Sequence, residues 1–137
     1  MKFYFDSNVF ITAALDGSFS EKARELLQKT RIGTFGKVVT SSLTCDEVFW
    51  GVKKLRGESH AIAVTEAMLL TPNLEVAPVD RNIVWLGLNL IKEYHLDPRD
   101  ALHAACALEN KASIIVSEDT DFNKIKELKR KGLSEIR

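Results

Sequence analysis

Apolar residues recur along this chain in two rhythms, as short unbroken blocks and as longer stretches spaced by three or four positions. Phe3-Tyr4-Phe5 is a short block that runs into Asp6-Ser7-Asn8, which predicts a buried strand ending in polar residues. Val9 to Leu15 then read as a helical or turn segment. Ser18 and Glu21 have the spacing of a capping box, and Ala23, Leu26 and Leu27 share one face of a helix from about Ser20 to Thr30. Gly33 and Gly36 mark a loop, and Lys37-Val38-Val39-Thr40, where β-branched residues cluster, predicts a second strand. Ser41, Ser42 and Thr44 can cap a helix reaching about Leu55, with Val48, Phe49 and Val52 as its apolar stripe and Gly57 at its end. Another helix, from about Ser59 to Leu70, stops before Thr71-Pro72 because the residue before proline avoids helical geometry.

Leu74 to Val79 alternate with period two, and Pro78 places the end of this third strand at an edge or terminus. Asp80 caps a helix from Arg81 to Tyr94. Its apolar positions Ile83, Val84, Leu86, Leu88, Leu90 and Ile91 spread too widely for one face, which predicts a largely buried helix. Asp97 reads as the N-cap of the next helix, with Pro98 at the first position and small residues through Leu108 suited to close packing on a sheet. Ser113 to Ser117 form the clearest buried strand. After Glu118 to Phe122, a last helix near Asn123 to Lys129 and a final strand over Leu133 to Ile136 complete the reading. Strands alternating with helices, without repeats or a linker, predict one α/β domain over residues 1–137, with a mostly parallel sheet covered on both faces.

Composition bounds this picture without changing it. The chain has 137 residues and 45% apolar content, enough for a single core without staples. Cys45 and Cys106 lie far apart inside apolar stretches and read as packed thiols of a reducing compartment. Asp6 interrupts the apolar opening, and no stretch reaches about 18 uncharged residues, so the expectation is a cytoplasmic protein without a membrane span. Lys and Arg number 19 against 19 Asp and Glu, so the chain lacks the positive field common in nucleic-acid binders. Cations held by clustered acids would reverse that field locally.

The acids therefore carry the chemical argument. Asp6 and Asp119 each follow a predicted strand, and parallel strands bring their carboxyl ends to one edge of the sheet. Glu47 and Asp100 fall in the first turns of helices that begin near the same edge. Converging carboxylates repel unless a cation joins them or some are protonated, and hard oxygen ligands select Mg²⁺ or Mn²⁺. Such a centre suits phosphodiester hydrolysis without a side-chain nucleophile. The chain has no G-x-S-x-G, P-loop or G-x-G-x-x-G pattern.

Phe5-Asp6-Ser7-Asn8, Ser42-Leu43 with Glu47, Asp100 to Ala105, and Val116 to Phe122 together resemble the PIN domain, the fold of VapC-type toxin ribonucleases. The likeness runs in order over essentially the whole chain. It implies a three-layer α/β/α sandwich, Mg²⁺- or Mn²⁺-dependent endoribonuclease activity on RNA and, in VapC-like members, a homodimer restrained by an antitoxin. Position by position, it assigns Asp6, Glu47, Asp100 and Asp119 to the metal-binding acids, and Asn8 and Ser117 to polar residues supporting them. Asp121 stands in the closing motif either as a ligand or as a cap. Ser7 and Ser117 replace the threonine the family often carries, and both keep the hydroxyl.

Each acid also has a plainer reading. Glu47 could complete a capping box with Thr44, and Asp119 and Asp121 could serve a helix start. His103, one turn after Asp100 among Ala101, Leu102, Ala104 and Ala105, reads as a packed, hydrogen-bonded histidine. Lys53, Lys54 and Arg56 read as a solvated face rather than an RNA contact. The alternatives to a nuclease are a non-catalytic PIN-like module binding RNA or protein, and a phosphatase using Asp6 as nucleophile. The latter would be expected to have a second acid where Asn8 stands.

Overall fold

The computed structural model describes residues 1–137. Five strands form one sheet: β1 (Phe3–Phe5), β2 (Val38–Ser41), β3 (Leu74–Ala77), β4 (Ile114–Val116) and β5 (Lys129–Lys131). Their spatial order is β3-β2-β1-β4-β5, with every neighbouring pair parallel. Six helices accompany them: α1 (Ser7–Ala14), α2 (Ser20–Arg31), α3 (Ser42–Arg56), α4 (Glu58–Leu70), α5 (Arg81–Tyr94) and α6 (Pro98–Glu109). Consecutive parallel strands need crossovers; pairs of helices supply those from β1 to β4, and a segment without an α-helix joins β4 to β5.

Strand periodicity divides the core into two layers. Tyr4, Val39 and Ile115 face one side, where they pack with Ile83 and Leu90 of α5 and the alanines of α6. Phe5, Val38, Ile114 and Val116 face the other, against Val9, Phe10, Leu26, Val48 and Met68 of α1 to α4. This is the three-layer α/β/α sandwich expected from the sequence. On α6, Ala101, Ala104, Ala105, Cys106 and Ala107 are fully buried, so small side chains let this helix lie close to the sheet. No helix is long and apolar enough to cross a membrane. Both cysteines are unpaired thiols, and burial pushes the Cys106 thiol up to about 11.

Several expectations change. The expected largely buried helix is amphipathic instead: Ile83, Gly87 and Leu90 of α5 are buried, whereas Trp85 is 59% exposed and Val84 and Leu88 also face outward. The Ser18–Glu21 capping box does not form, because Phe19 occupies the cap position with left-handed backbone, φ 68°, and no side-chain cap bond. Thr44 and Glu47 form no box either. Ser41 caps α3 by accepting from the Thr44 amide, and Glu47 lies a turn deeper.

Asn123 to Lys129 are not a helix. A 3-10 turn spans Thr120–Lys124, and Lys129–Lys131 pair with β4. Phe122, Ile125 and Leu128 are buried at a spacing of three, which imitates a helical stripe in the sequence. The expected strand over Leu133 to Ile136 is a 3-10 turn at Leu133–Glu135 that buries Leu133 and Ile136 beside the helices. The third strand ends at Ala77, before Pro78, and lies at the sheet edge as expected.

Candidate active site

The site begins where β1 and β4 end side by side. Phe5 pairs with Val116, so the next residues, Asp6 and Ser117, arrive together at the carboxyl edge. The Ser117 hydroxyl donates to Asp6 Oδ2 at 2.7 Å, the Ser7 amide to Oδ1 at 2.7 Å, and the Asn8 amide to Oδ2 at 3.3 Å. Asp6 thus caps α1, and these donors satisfy a carboxyl group that is only 6% exposed. Ser117 also accepts from the Asp119 amide at 3.0 Å, which turns the chain after β4, and Asp119 Oδ1 accepts from the Asp121 amide at 2.9 Å.

A second convergence centres on His103. Three residues after Asp100 on α6, it shares that residue's helix face. It is buried, with Nε2 at 2.6 Å from Glu47 Oε1 and 3.4 Å from Asp6 Oδ1. Nδ1 lies 2.8 Å from the Tyr4 hydroxyl, which donates its single proton to Ser41 Oγ at 2.8 Å. With that proton committed, the Tyr4 oxygen is free to accept from Nδ1 while Nε2 faces Glu47 as a donor.

The electrostatics agree. Burial works against a charged imidazole, but the Glu47 bond and the negative charges of Asp6, Glu47 and Asp100 outweigh it and raise the His103 pKa. Burial likewise works to raise Glu47, and the His103 bond and charge prevail, leaving Glu47 below its ordinary value. Burial pushes the Tyr4 phenol upward, so it stays protonated.

Glu47, Asp97, Pro98, Arg99, Asp100, Asp119 and Asp121 line an open cavity of about 470 Å³, in whose wall Pro98 is the only uncharged residue. The Asp100 carboxyl is pushed up to about 6, first by burial and then by the charges of Asp119 and Asp6. The carboxylates therefore form two neighbouring groups. Asp6 and Glu47 gather around His103, and Asp100 gathers with Asp97 and Asp121; within each group the possible ligand atoms lie within 4.8 Å of one another. Asp119 faces the same cavity.

Asp97 is a correction. It occupies the N-cap position of α6 but makes no side-chain cap bond, and it turns toward Asp100 and Asp121 instead. Its place three residues before Asp100, on the same helix face, was the signal available in the sequence. Sequence reasoning identified the packing of His103 but not its carboxylate partners, and it left Tyr4 in the core.

The donor set fits a hard divalent cation. The cavity offers carboxylate oxygens from several elements, and no Lys or Arg approaches Asp100, Asp119 or Asp97 within ion-pair distance. Asn8 Oδ1 is buried beside Asp6 with no hydrogen-bond donor. Glu47, Asp100, Asp119 and Asp121 could hold a cation from the cavity side, and Asp6 from beneath. The second cavity, about 360 Å³, is an apolar groove among α1, α2 and α4, away from these acids.

A family model for the PIN domain matches residues 3–128. No curated protein matches the chain. Among solved structures, VapBC2 from Rickettsia felis bound to a promoter DNA fragment has a chain 18% identical at TM-score 0.75, covering 96% of this chain and 98% of that one. VapC20 from Mycobacterium tuberculosis, a Sarcin-Ricin loop cleaving toxin, is 15% identical at TM-score 0.75, covering 92% and 96%. DNA-bound VapBC from Salmonella typhimurium is 21% identical at TM-score 0.74, covering 97% and 98%. The parallel sheet, the acids at its carboxyl edge and the match over residues 3–128 show that this chain belongs to the PIN domain family.

Proposed function

We propose that this chain is a Mg²⁺- or Mn²⁺-dependent endoribonuclease, the toxin of a VapBC-type pair restrained by a protein antitoxin. The reading is supported chiefly by Glu47, Asp100 and Asp119 lining one cavity open to solvent, with Asp6 joined to Glu47 through His103 beside it. A bound divalent cation supplies an activated water and neutralises charge developing on the phosphate. The protein's own part is positional. Ser117, Ser7 and Asn8 orient Asp6, His103 orients Glu47, and the turn after β4 presents Asp119.

RNA as the polymer is supported by the likeness to a Sarcin-Ricin loop cleaving toxin. An antitoxin partner is supported by the likeness to VapBC structures. A retired binding module would gain stability by losing mutually repelling acids, yet Asp100 is kept although burial and the charges of Asp119 and Asp6 push it toward protonation. The test is cleavage of a mixed RNA pool by purified protein with Mn²⁺, with EDTA, and by Asp6→Asn. Cleavage should require metal and vanish in the variant. Equal cutting by Asp6→Asn, in preparations free of contaminating nuclease, would overturn the proposal.

A further inference from the structure

We propose that His103 is a positioning residue of the metal centre, holding Glu47 and Asp6 as a preset pair through Nε2 while Tyr4 and Ser41 fix the ring from behind. This rests on the metal-dependent reading above and adds to it a residue outside the acidic set.

The geometry carries the assignment. His103 is 2% exposed, so its ring orientation comes from packing and from its hydrogen bonds. Nε2 lies between two carboxylates from different elements, Glu47 of α3 at 2.6 Å and Asp6 after β1 at 3.4 Å. Without a donor there, buried Asp6 and half-buried Glu47 would face each other across the α6 surface and drift apart by repulsion. A carboxylate has two oxygens. His103 occupies Glu47 Oε1, leaving Oε2 available to a cation, and it thereby fixes the rotamer in which Glu47 is presented.

The far side is equally determined. The ring is edge-on to Tyr4, with centroids 5.8 Å apart, and the phenol is itself tied to Ser41, the residue that caps α3. The chain Ser41–Tyr4–His103–Glu47 therefore begins at the residue that caps α3, passes through β1 and α6, and ends on α3. Partners behind metal ligands of this kind tune affinity by about 10–100-fold.

The test compares the parent with His103→Asn, His103→Gln and Tyr4→Phe, reading Mn²⁺ affinity from the free-ion EPR signal, melting in EDTA, and RNA cleavage. The Gln amide nitrogen replaces Nε2, whereas the Asn amide reaches only as far as Nδ1. His103→Asn should weaken Mn²⁺ binding by about 10–100-fold, and His103→Gln should recover most of that loss. Tyr4→Phe should fall between them. Parent-like Mn²⁺ affinity in folded His103→Asn overturns the assignment. If that variant does not fold, parent-like affinity in Tyr4→Phe overturns it. Imidazole nitrogen modulation in the pulsed EPR of bound Mn²⁺ also overturns it, since His103 would then be a ligand. A parent that binds no Mn²⁺ sinks the nuclease reading together with this one, whereas a binding parent matched by His103→Asn sinks this one alone.

Discussion

Ser117 and Asp6 lie 111 residues apart in sequence, yet the Ser117 hydroxyl donates to Asp6 Oδ2 at 2.7 Å, joining the ends of β1 and β4. The same hydroxyl accepts from the Asp119 amide, so a single oxygen sets both the charge at the end of one strand and the turn at the end of the other. Ser117→Ala removes a buried bond to a charged group and should cost about 1.5–3 kcal/mol. Ser117→Thr keeps the hydroxyl and should recover much of it. Urea denaturation without metal checks both, and an Ala variant as stable as the parent would show that Asp6 finds other donors.

Asp100→Asn should have a pH-dependent effect on stability. The folded-state pKa of Asp100 is raised from 3.8 to about 6, so the folded protein holds this proton more tightly than the unfolded chain. The resulting stability is complete below the unfolded value and is lost as pH rises through about 6, where the ionised carboxylate meets Asp119 and Asp6. In metal-free buffer Asp100→Asn should gain on the parent as pH rises from 4 to about 8. Melting curves across that range decide it, and a variant that loses ground to the parent as pH rises would refute the direction. The variant should nevertheless lose metal-dependent RNA cleavage.

Asp97→Ala should change metal-free stability by no more than about 0.5 kcal/mol, because Asp97 is exposed and makes no cap bond. A loss near the typical cap value of about 1 kcal/mol would restore the capping role that the sequence suggested.

Arg99 is the only basic side chain lining the acidic cavity, and it pairs with no carboxylate within 4.0 Å. A guanidinium in that place suits a phosphate of the incoming strand. Arg99→Ala on an Asp6→Asn background should bind single-stranded RNA more weakly, with a log–log salt slope smaller by about 0.7. Fluorescence anisotropy across a salt series measures it. An unchanged slope would leave Arg99 outside the RNA path.

Local patterns carried much of the fold. The apolar blocks at Phe3, Val38, Leu74 and Ile114 stood out as strands, and the period of two that separates Tyr4 from Phe5 divides the two core layers. Lys129-Arg130-Lys131 had no such signal. It is a strand because its backbone completes the edge beside β4, and a run of three basic residues looks the same in a loop. The outward face of α5 was equally hidden, since apolar residues spread around a helix do not show which of them the neighbours cover.

The linear order of residues alone determined that Asp6 and Asp119 would stand at strand ends and Glu47 and Asp100 near helix starts, because caps and periodicity act within a few residues. Only the three-dimensional packing decided that Glu47 and Asp6 share His103, that Tyr4 and Ser41 back it, and that Asp97 joins Asp100 and Asp121 instead of capping α6. Those distances follow from the strand order β3-β2-β1-β4-β5 and the seating of α3 and α6 on the sheet. That order arises from how large and small side chains fill two layers at once, a condition that no short window of sequence expresses.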